Sequence, residues 1–212
     1  MTSNSSTRPT APDLRERRRR ELARVIAVAA VDLFERNGFA ETTIDEIAAA
    51  AGISRTTFFR HCATKEAAVL VDDAGLEGEL VEIAARAPVG RVLHELADAW
   101  EAMTAVFDDD PAGRDRFLRV RRLMKSYPAL LAAGLARDAQ LADHVAAALG
   151  ARDDLDELDA HAIATLFSSG MRLAFDEWTR RADATPRAAP PALSEVYRDV
   201  RAALARVDDA HP

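Results

Sequence analysis

Apolar residues recur three and four positions apart along most of the chain, which is the spacing of an amphipathic α-helix. The first stripe includes Leu22, Ile26 and Phe34, and Gly38 marks its end. From residue 89 onward the same spacing continues, and the sequence shows neither the alternation of a β-strand nor an internal repeat. The pattern predicts an all-α protein. Breaks between the later helices are predicted at 108–111, 127–128, 150 and 183–192.

Two short helical patterns flank a central glycine in the first third of the chain. Thr43 and Glu46 form a capping box for the first helix, because the hydroxyl can accept a backbone N–H while the carboxylate reaches back to another. Gly52 suits the left-handed backbone of a tight turn, Ser54 can cap the second helix, and Phe58 faces inward. A helix, a short turn and a basic second helix are typical of a helix-turn-helix that enters the DNA major groove. The residues predicted to face outward are Arg55, Thr56, Phe59 and Arg60.

Arginines crowd the start of the first long helix, with six of them between residues 15 and 24. Arginines at the edge of a DNA-binding domain neutralise phosphates and release counterions without reading sequence. A solvated helix start is the alternative, but the adjacent helix-turn-helix favours phosphate binding. The residues assigned to this role are Arg17, Arg18 and Arg19.

Residues 15–70 resemble the DNA-binding domain of the TetR (tetracycline-repressor) family of bacterial transcription regulators. Phe59 stands where the family usually has a tyrosine, and Cys62 where it usually has a bulky aromatic residue. By this resemblance, the outward residues of the second helix face the bases, and phosphate contacts come from Thr43, Thr57, His61 and Lys65. The residues that carry the resemblance are Phe34, Gly38, Thr42, Thr43, Ile47, Ala48, Ala51, Gly52, Ile53, Ser54, Thr57, Phe58, Lys65 and Glu66.

Composition and pattern divide the chain into four segments. Residues 1–12 are rich in Ser, Thr and Pro and are expected to be a disordered arm. Residues 13–63 form the predicted DNA-binding domain of three helices. A single connecting helix, capped by Thr64, is expected over 64–87, and residues 88–212 are predicted to form a helical domain for ligand binding and dimerisation.

Charge is distributed unevenly along the chain. The net charge is −7, but residues 1–65 hold eleven Lys and Arg against eight Asp and Glu. A basic head on an acidic body suits a protein that docks DNA with one end. The single cysteine, Cys62, excludes an internal disulfide and fits a reducing cytoplasm. The longest apolar run, Val25 to Val31, is too short to span a bilayer and no export signal is present, so a cytoplasmic protein without a membrane partner is expected.

Bulky, soft side chains concentrate between residues 89 and 182. Such stripes ordinarily form a core, but the body is larger than a DNA-reading head requires, which favours a cavity for a small apolar ligand. Six cationic residues lie between 114 and 125, either as a solvated face or as a cationic mouth for an anionic head group. The predicted ligand-binding residues are Trp100, Met103, Phe107, Phe117, Arg121, Arg122, Met124, Tyr127, Met171 and Phe175.

Residues 117–130 also resemble actinobacterial TetR regulators whose ligand domain is similar to that of the mycofactocin regulator. That resemblance implies an acyl-CoA-like or fatty-acid-like effector. The last two helices resemble the dimerisation pair of the family, which implies a homodimer held by a four-helix bundle. Small residues predicted to face the partner are Ala162, Thr165, Ser169, Gly170 and Ala174. Larger anchors are predicted at Phe167, Met171, Trp178, Val196, Val200 and Leu204.

Nothing in the sequence indicates catalysis. The five histidines are scattered without metal-ligand spacing, and no phosphate-binding glycine loop or nucleophile motif is present. No enzyme activity, metal or cofactor is therefore expected. The sequence predicts a homodimeric, ligand-responsive repressor that binds a palindromic operator in double-stranded DNA and is released by a small effector. An activator of the same family and a helical interaction module that retains a helix-turn-helix stay open as alternatives.

Overall fold

The structure, a computed structural model, describes residues 14–70, 75–185 and 189–209. In these ranges the chain is helical and contains no strand, which confirms the all-α prediction. The predicted disordered arm, residues 1–12, lies outside the described residues. The helices are α1 (Leu14–Asn37), α2 (Ile44–Ala50), α3 (Arg55–His61), α4 (Leu76–Arg86), α5 (Val92–Asp108), α6 (Pro111–Ser126), α7 (Pro128–Gly150), α8 (Glu157–Ala184) and α9 (Leu193–Asp209), with 3-10 turns at Ala67–Val69 and Val89–Arg91.

Several helix boundaries follow from local capping chemistry. Asp110 accepts the backbone N–H of Gly113 at 3.0 Å, and Pro111 occupies the first turn of α6, where its missing N–H costs nothing. Asp156 caps α8 in the same way, accepting the N–H of Asp159 at 2.8 Å. Asp156 therefore has a structural role at the start of α8.

The prediction of one continuous connecting helix over residues 64–87 is wrong. Thr64 Oγ1 accepts the N–H of Ala67 at 3.1 Å, but it opens only the 3-10 turn Ala67–Val69. Gly75 then has a φ of +75°, the left-handed region that favours glycine, and α4 begins at the next residue. A helix cannot continue through such a residue, and residues 71–74 lie outside the described ranges.

The head, which comprises α1 to α3 and the turn Ala67–Val69, and the body, which comprises α4 to α9, have separate hydrophobic cores. The two cores meet at α6. The head core collects the inner faces of α1, α2 and α3 around Phe34, Ile47 and Phe58, which are at most 1% exposed. The body core is formed mainly by α4, α5, α7, α8 and α9. Val120 and Met124 of α6 pack with the head core.

One ion-pair cluster also joins the head to the body. Arg119 of α6 donates to both carboxylate oxygens of Glu35 on α1, with Nη2 2.6 Å from Oε2, and also to Asp32. The Arg119 side chain is only 24% exposed. Hydrogen bonds from charged groups in this partly buried setting are stronger than those of an exposed pair. The cluster therefore fixes the position of α6 against the first helix of the head.

Lys65 holds the loop between α1 and α2. Its ammonium group donates to the carbonyl oxygens of Phe39, Ala40 and Thr42 at 2.6, 3.3 and 3.1 Å. The same group lies 4.3 Å from the centre of the Phe39 ring. An ammonium has three donors, and these contacts use all of them. Lys65 is therefore a structural residue of the head.

Replacing Lys65 with Met should lower the free energy of unfolding by about 1–3 kcal/mol, because partly buried carbonyls lose a charged donor. Urea denaturation of the full chain measures the change. Lys125→Met is the matched control, since Lys125 is 56% exposed and makes an ion pair with Asp183, which is worth about 0–1 kcal/mol. Equal destabilisation by the two substitutions would contradict the assigned role.

Candidate DNA interface and ligand cavity

Helix α3 is anchored by one buried residue and leaves the opposite face exposed. Phe58 is fully buried in the head core. Ser54 Oγ accepts the backbone N–H of Thr57 at 3.1 Å and so caps the helix as predicted. Thr43 and Glu46 form the predicted capping box of α2. The four residues predicted to face outward are all exposed, namely Arg55, Thr56, Phe59 and Arg60.

Arg55 and Phe59 form one unit on the exposed face of α3. The Arg55 guanidinium carbon lies 5.2 Å from the centre of the Phe59 ring, which is 45% exposed. Arg55 Nη1 also donates to Asp45 Oδ1 at 2.7 Å. Both partners of this ion pair are exposed, so it contributes only about 0–1 kcal/mol and serves to orient the guanidinium. A planar guanidinium held in this way is suited to bidentate contact with a guanine edge.

The arginine-rich start of α1 lies near the C-terminal end of α3. The pKa of His61 is lowered by its partial burial and then by the positive charges of Arg60 and Arg19. A lowered histidine pKa keeps the ring neutral to lower pH, so His61 offers a hydrogen-bond donor more than a positive charge. Arg17, Arg18 and Arg19 are exposed and supply positive charge at this end of the head.

Three residues predicted to contact phosphate already have local partners. The Thr43 hydroxyl and backbone N–H both donate to Glu46 Oε2 at 2.8 Å. The Thr57 hydroxyl lies 2.9 Å from Ser54 Oγ, and Lys65 is engaged with three carbonyls. A phosphate would have to displace these bonds, so these side chains serve the fold in this structure.

A cavity of about 210 Å³ lies inside the body, bounded by α4 to α8 and by the start of α9. Aromatic rings form much of its wall: Phe175 has its ring centre 5.5 Å from that of Trp100 and 4.7 Å from that of Phe117. The volume is below the roughly 300 Å³ of the smaller drug-sized sites, so it suits a compact group. The predicted ligand-binding residues that line it are Trp100, Met103, Phe107, Phe117, Arg121, Met124, Met171 and Phe175.

Arg122 and Tyr127 do not line this cavity, contrary to the prediction. Arg122 Nε donates to Asp183 at 2.9 Å, and its side chain is 47% exposed. Successive residues of a helix point about 100° apart, so Arg121 reaches the cavity wall while Arg122 faces solvent. Tyr127 follows the end of α6 and packs against the head core, with its ring centre 5.6 Å from that of Phe39.

Charged residues that the sequence analysis missed also lie in the wall. Glu77 comes from α4, and Arg137 and Asp138 come from α7. Burial raises the pKa of Asp138, while the charge of Arg121 opposes that change. The sequence held a signal for α7, because Arg137 and Asp138 directly follow the uncharged segment 128–136.

The cavity shares part of its wall with the head core. Val69 and Leu70 of the segment after α3, and Val120 and Met124 of α6, line the cavity and also pack with the head core. A group that enters the cavity therefore touches side chains that help to position α1 and α3. This shared wall is a direct physical connection between the two candidate sites.

Large apolar side chains are exposed along α8 and α9, where the sequence predicted dimer contacts. Five of the six anchors named from the sequence do not form this surface, because they are buried within the chain itself, and Leu204 is the exposed exception. The five are Phe167, Met171, Trp178, Val196 and Val200. The small residues predicted to face the partner do not all do so, because Ala174 is buried and Gly170 lies against Leu204 of the same chain. Exposed large apolar side chains on two neighbouring helices make this surface a candidate for an interaction site. The exposed residues are Leu158, Leu166, Leu173, Leu204 and Val207.

Two negative findings concern the described ranges alone. There, no three or more His, Cys, Asp or Glu side chains are grouped so that they could hold a metal ion. Nor is any helix of those ranges both long and apolar enough to cross a membrane. Cys62 is buried in the head core, and burial raises the pKa of its thiol to about 11.

Comparisons with known proteins agree with this architecture. Residues 26–71 match the sequence profile of the bacterial regulatory proteins, tetR family. The HTH-type transcriptional regulator TcmR of Streptomyces glaucescens is 29% identical over 96% of this chain and 94% of its own length. MftR of Mycobacterium tuberculosis, named as a candidate transcriptional regulator of mycofactocin biosynthesis, is 45% identical over 51 residues, which are 24% of this chain and 26% of that protein.

Among solved structures, FadR of Thermus thermophilus, described as a TetR-family transcriptional repressor in complex with lauroyl-CoA, aligns at 24% identity with a TM-score of 0.44. The alignment covers 84% of this chain and 90% of that chain. The profile match falls on the helix-turn-helix described above, and the TcmR match extends through the body. The chain is therefore similar to the tetR family of bacterial regulatory proteins in its helix-turn-helix, and to TcmR over nearly its whole length.

Proposed function

We propose that the protein is a dimeric, ligand-responsive repressor that binds a palindromic DNA site and leaves it when an effector fills the body cavity. The observation that carries the proposal is the exposed face of α3, where Arg55 is held between Asp45 and Phe59. Phe58 beneath this face is fully buried, so α3 is rigidly mounted. A basic, exposed and well-supported second helix is what major-groove reading requires.

The contacts with DNA divide into two kinds. Arg55, Thr56, Phe59 and Arg60 are assigned to the base edges because they share the exposed face of α3. Arg17, Arg18, Arg19 and His61 are assigned to phosphates, because the three arginines are exposed at the start of α1 and the charge of Arg19 is close enough to lower the pKa of His61. Thr43, Thr57 and Lys65 are not assigned to direct contact, since their side chains are already hydrogen-bonded within the head.

The effector acts in this proposal through α6. A compact apolar group in the cavity would press on Val120 and Met124, which also pack with the head core. Arg119 on the same helix is bonded to Asp32 and Glu35 of α1, so a shift of α6 is transmitted to the head. A ligand changes DNA affinity only as far as it prefers the conformation that does not bind DNA.

Selection from fragmented genomic DNA of the source organism is the primary test of DNA binding. We expect enrichment of a short palindrome with half-sites about 34–36 Å apart, or a multiple of that distance. Arg55→Gln should cost about 1–3 kcal/mol of binding free energy and relax the preference at one base position of each half-site. Arg17→Gln should weaken all sites alike and reduce the slope of log affinity against log salt by about one.

Arg86→Gln serves as the control, because Arg86 is 71% exposed on α4 and its ion pair with Glu82 lies within that helix. It should leave affinity and salt slope unchanged. If the bound DNA fragments share no motif, the regulator proposal is contradicted and a helical interaction module that retains a helix-turn-helix is favoured. Identical behaviour of Arg55→Gln and Arg17→Gln would contradict the division of roles.

The dimer is predicted to form through the exposed apolar faces of α8 and α9. Leu166→Asp should dissociate it, because Leu166 is 61% exposed in the single chain and an aspartate buried at a subunit contact would lack a partner. Sedimentation equilibrium measures the shift from dimer to monomer, and binding to a full palindrome should fall with it. Val106→Asp on α5, at a residue 75% exposed, should leave the assembly intact. A Leu166→Asp protein that remains dimeric would place the interface elsewhere.

A further inference from the structure

Asp138 is a partly buried carboxylate in the wall of the apolar cavity, on α7. In the described part of the chain no side chain or backbone N–H donates a hydrogen bond to its carboxylate oxygens, and Ser168 Oγ donates instead to its backbone carbonyl, at 3.3 Å. Unbonded polar groups inside a protein are rare and costly, so one in a cavity wall indicates a place for a ligand. Both oxygens of the carboxylate can accept from a donor in the cavity.

The arginines near Asp138 supply positive charge but direct their donors elsewhere. Burial raises the pKa of Asp138, and the charges of Arg121 and Arg137 oppose that change. Arg121 donates to Asp176 of α8, and Arg137 Nη2 donates to Glu77 Oε2 at 3.0 Å. The negative charge is therefore partly balanced while the oxygens stay without a donor. This combination keeps an acceptor ready inside an otherwise apolar space.

The same wall also contains a donor without a partner. Trp100 is 4% exposed, and its Nε1 is enclosed by protein atoms and has no acceptor among the described residues. The other tryptophan is bonded, since Trp178 Nε1 donates to the carbonyl of Pro191 at 2.7 Å. A hydroxyl group both donates and accepts, so it matches an unbonded carboxylate and an unbonded indole N–H. The indole has to turn before its N–H can meet a ligand, so Asp138 is the first contact.

The charges in the wall favour an uncharged ligand. Among the described residues, the charged side chains of the wall are three arginines and two carboxylates, namely Arg116, Arg121, Arg137, Glu77 and Asp138. A cationic group would add to an existing excess of positive charge, and an anionic group would be repelled by the carboxylate beside it. A neutral hydroxyl group avoids both costs.

We propose that the effector is a compact, uncharged aromatic compound whose hydroxyl group donates to the Asp138 carboxylate inside the cavity. This inference rests on the proposed function, because it gives the chemical class of the effector of that regulator. Such a compound differs from the anionic acyl-CoA-like or fatty-acid-like effector that the sequence resemblance implies.

The shape of the cavity suits one or two fused rings. Its volume of about 210 Å³ equals that of about seven water molecules at roughly 30 Å³ each. The rings of Trp100, Phe117 and Phe175 line it, and they meet edge-on or tilted. Aromatic groups prefer these arrangements, so a flat ring adds to the cluster without disturbing it.

The position of Asp138 on α7 determines where the ring of the ligand lies. Gly134, one turn earlier on the same helix, also lines the cavity, and a side chain there would collide with the methyl group of Met124. The Met124 side chain therefore reaches α7 next to Asp138. An aromatic group bonded to the carboxylate meets this methionine, which also packs with the head core. The hydroxyl contact thus directs the ring against a residue that joins the cavity to the head.

The test compares ligands of similar size that differ in one polar group. Full-length protein is titrated by calorimetry, without DNA, with para-ethylphenol, its methyl ether para-ethylanisole, the cation para-ethylbenzylammonium and the anion para-ethylbenzoate. The phenol should bind at least about tenfold more tightly than the ether, because only the phenol donates a hydrogen bond to a charged acceptor. It should also bind more tightly than either ion.

Substitutions at Asp138 should act on the phenol alone. Asp138→Leu removes the acceptor at similar volume and should weaken phenol binding about tenfold, to the level of the ether, without weakening the ether. Asp138→Asn keeps an uncharged oxygen acceptor and should give an intermediate phenol affinity, which tests the contact if Asp138→Leu folds poorly. Asp143→Asn is the matched control and should change nothing, because Asp143 is exposed on the same helix and does not line the cavity.

The proposal is overturned if the phenol does not bind, if phenol and ether bind equally, or if either ion binds more tightly than the phenol. Equal weakening of phenol and ether by Asp138→Leu would also overturn it, because loss of a structural residue has that effect. These outcomes are separable from failure of the regulator proposal. Preferential phenol binding by a protein that selects no DNA motif would refute the regulator alone. Release from DNA by para-ethylanisole, with no preference for the phenol, would refute the hydroxyl site alone.

Discussion

Helix α6 has to satisfy two sets of neighbours at once, and the arrangement of the whole chain depends on it. Val120 and Met124 belong to the packing of the head and to the wall of the body cavity. Arg119 on the same helix is tied to two carboxylates of α1. Because tightly packed side chains transmit displacement, α6 cannot move against the body without changing its fit to the head. The two candidate sites are thus joined by direct packing.

The helix-turn-helix could be predicted closely because its signals are local. The capping box of Thr43 and Glu46, the cap of Ser54 and the positive φ of Gly52 each concern residues within a few positions of one another. Buried Phe58 then determines which side of α3 faces outward. None of these features requires knowledge of distant parts of the chain.

The body was harder to predict because its features depend on which helix meets which. Trp178 and Phe167 follow the apolar spacing that a dimer contact would also show, yet both are buried within the chain itself. Arg121 and Arg122 are adjacent in sequence and differ only in the side of α6 that they occupy. Lys65 is bonded to carbonyls more than twenty residues away, so no local pattern reveals its role. Apolar periodicity identifies a buried face but not the element that buries it.

Three of the four methionines of the chain, Met103, Met124 and Met171, lie in the wall of the cavity, and the fourth is the first residue. Methionine side chains are unbranched and change rotamer at little cost, so a wall built from them can re-form around guests of different outline. Met103 and Met171 adjust within the body, whereas Met124 also packs with the head core. Natural variation at the first two can change the outline of the cavity without disturbing the packing of the head. Variation at Met124 would alter both properties together, so this residue limits how independently the two can evolve.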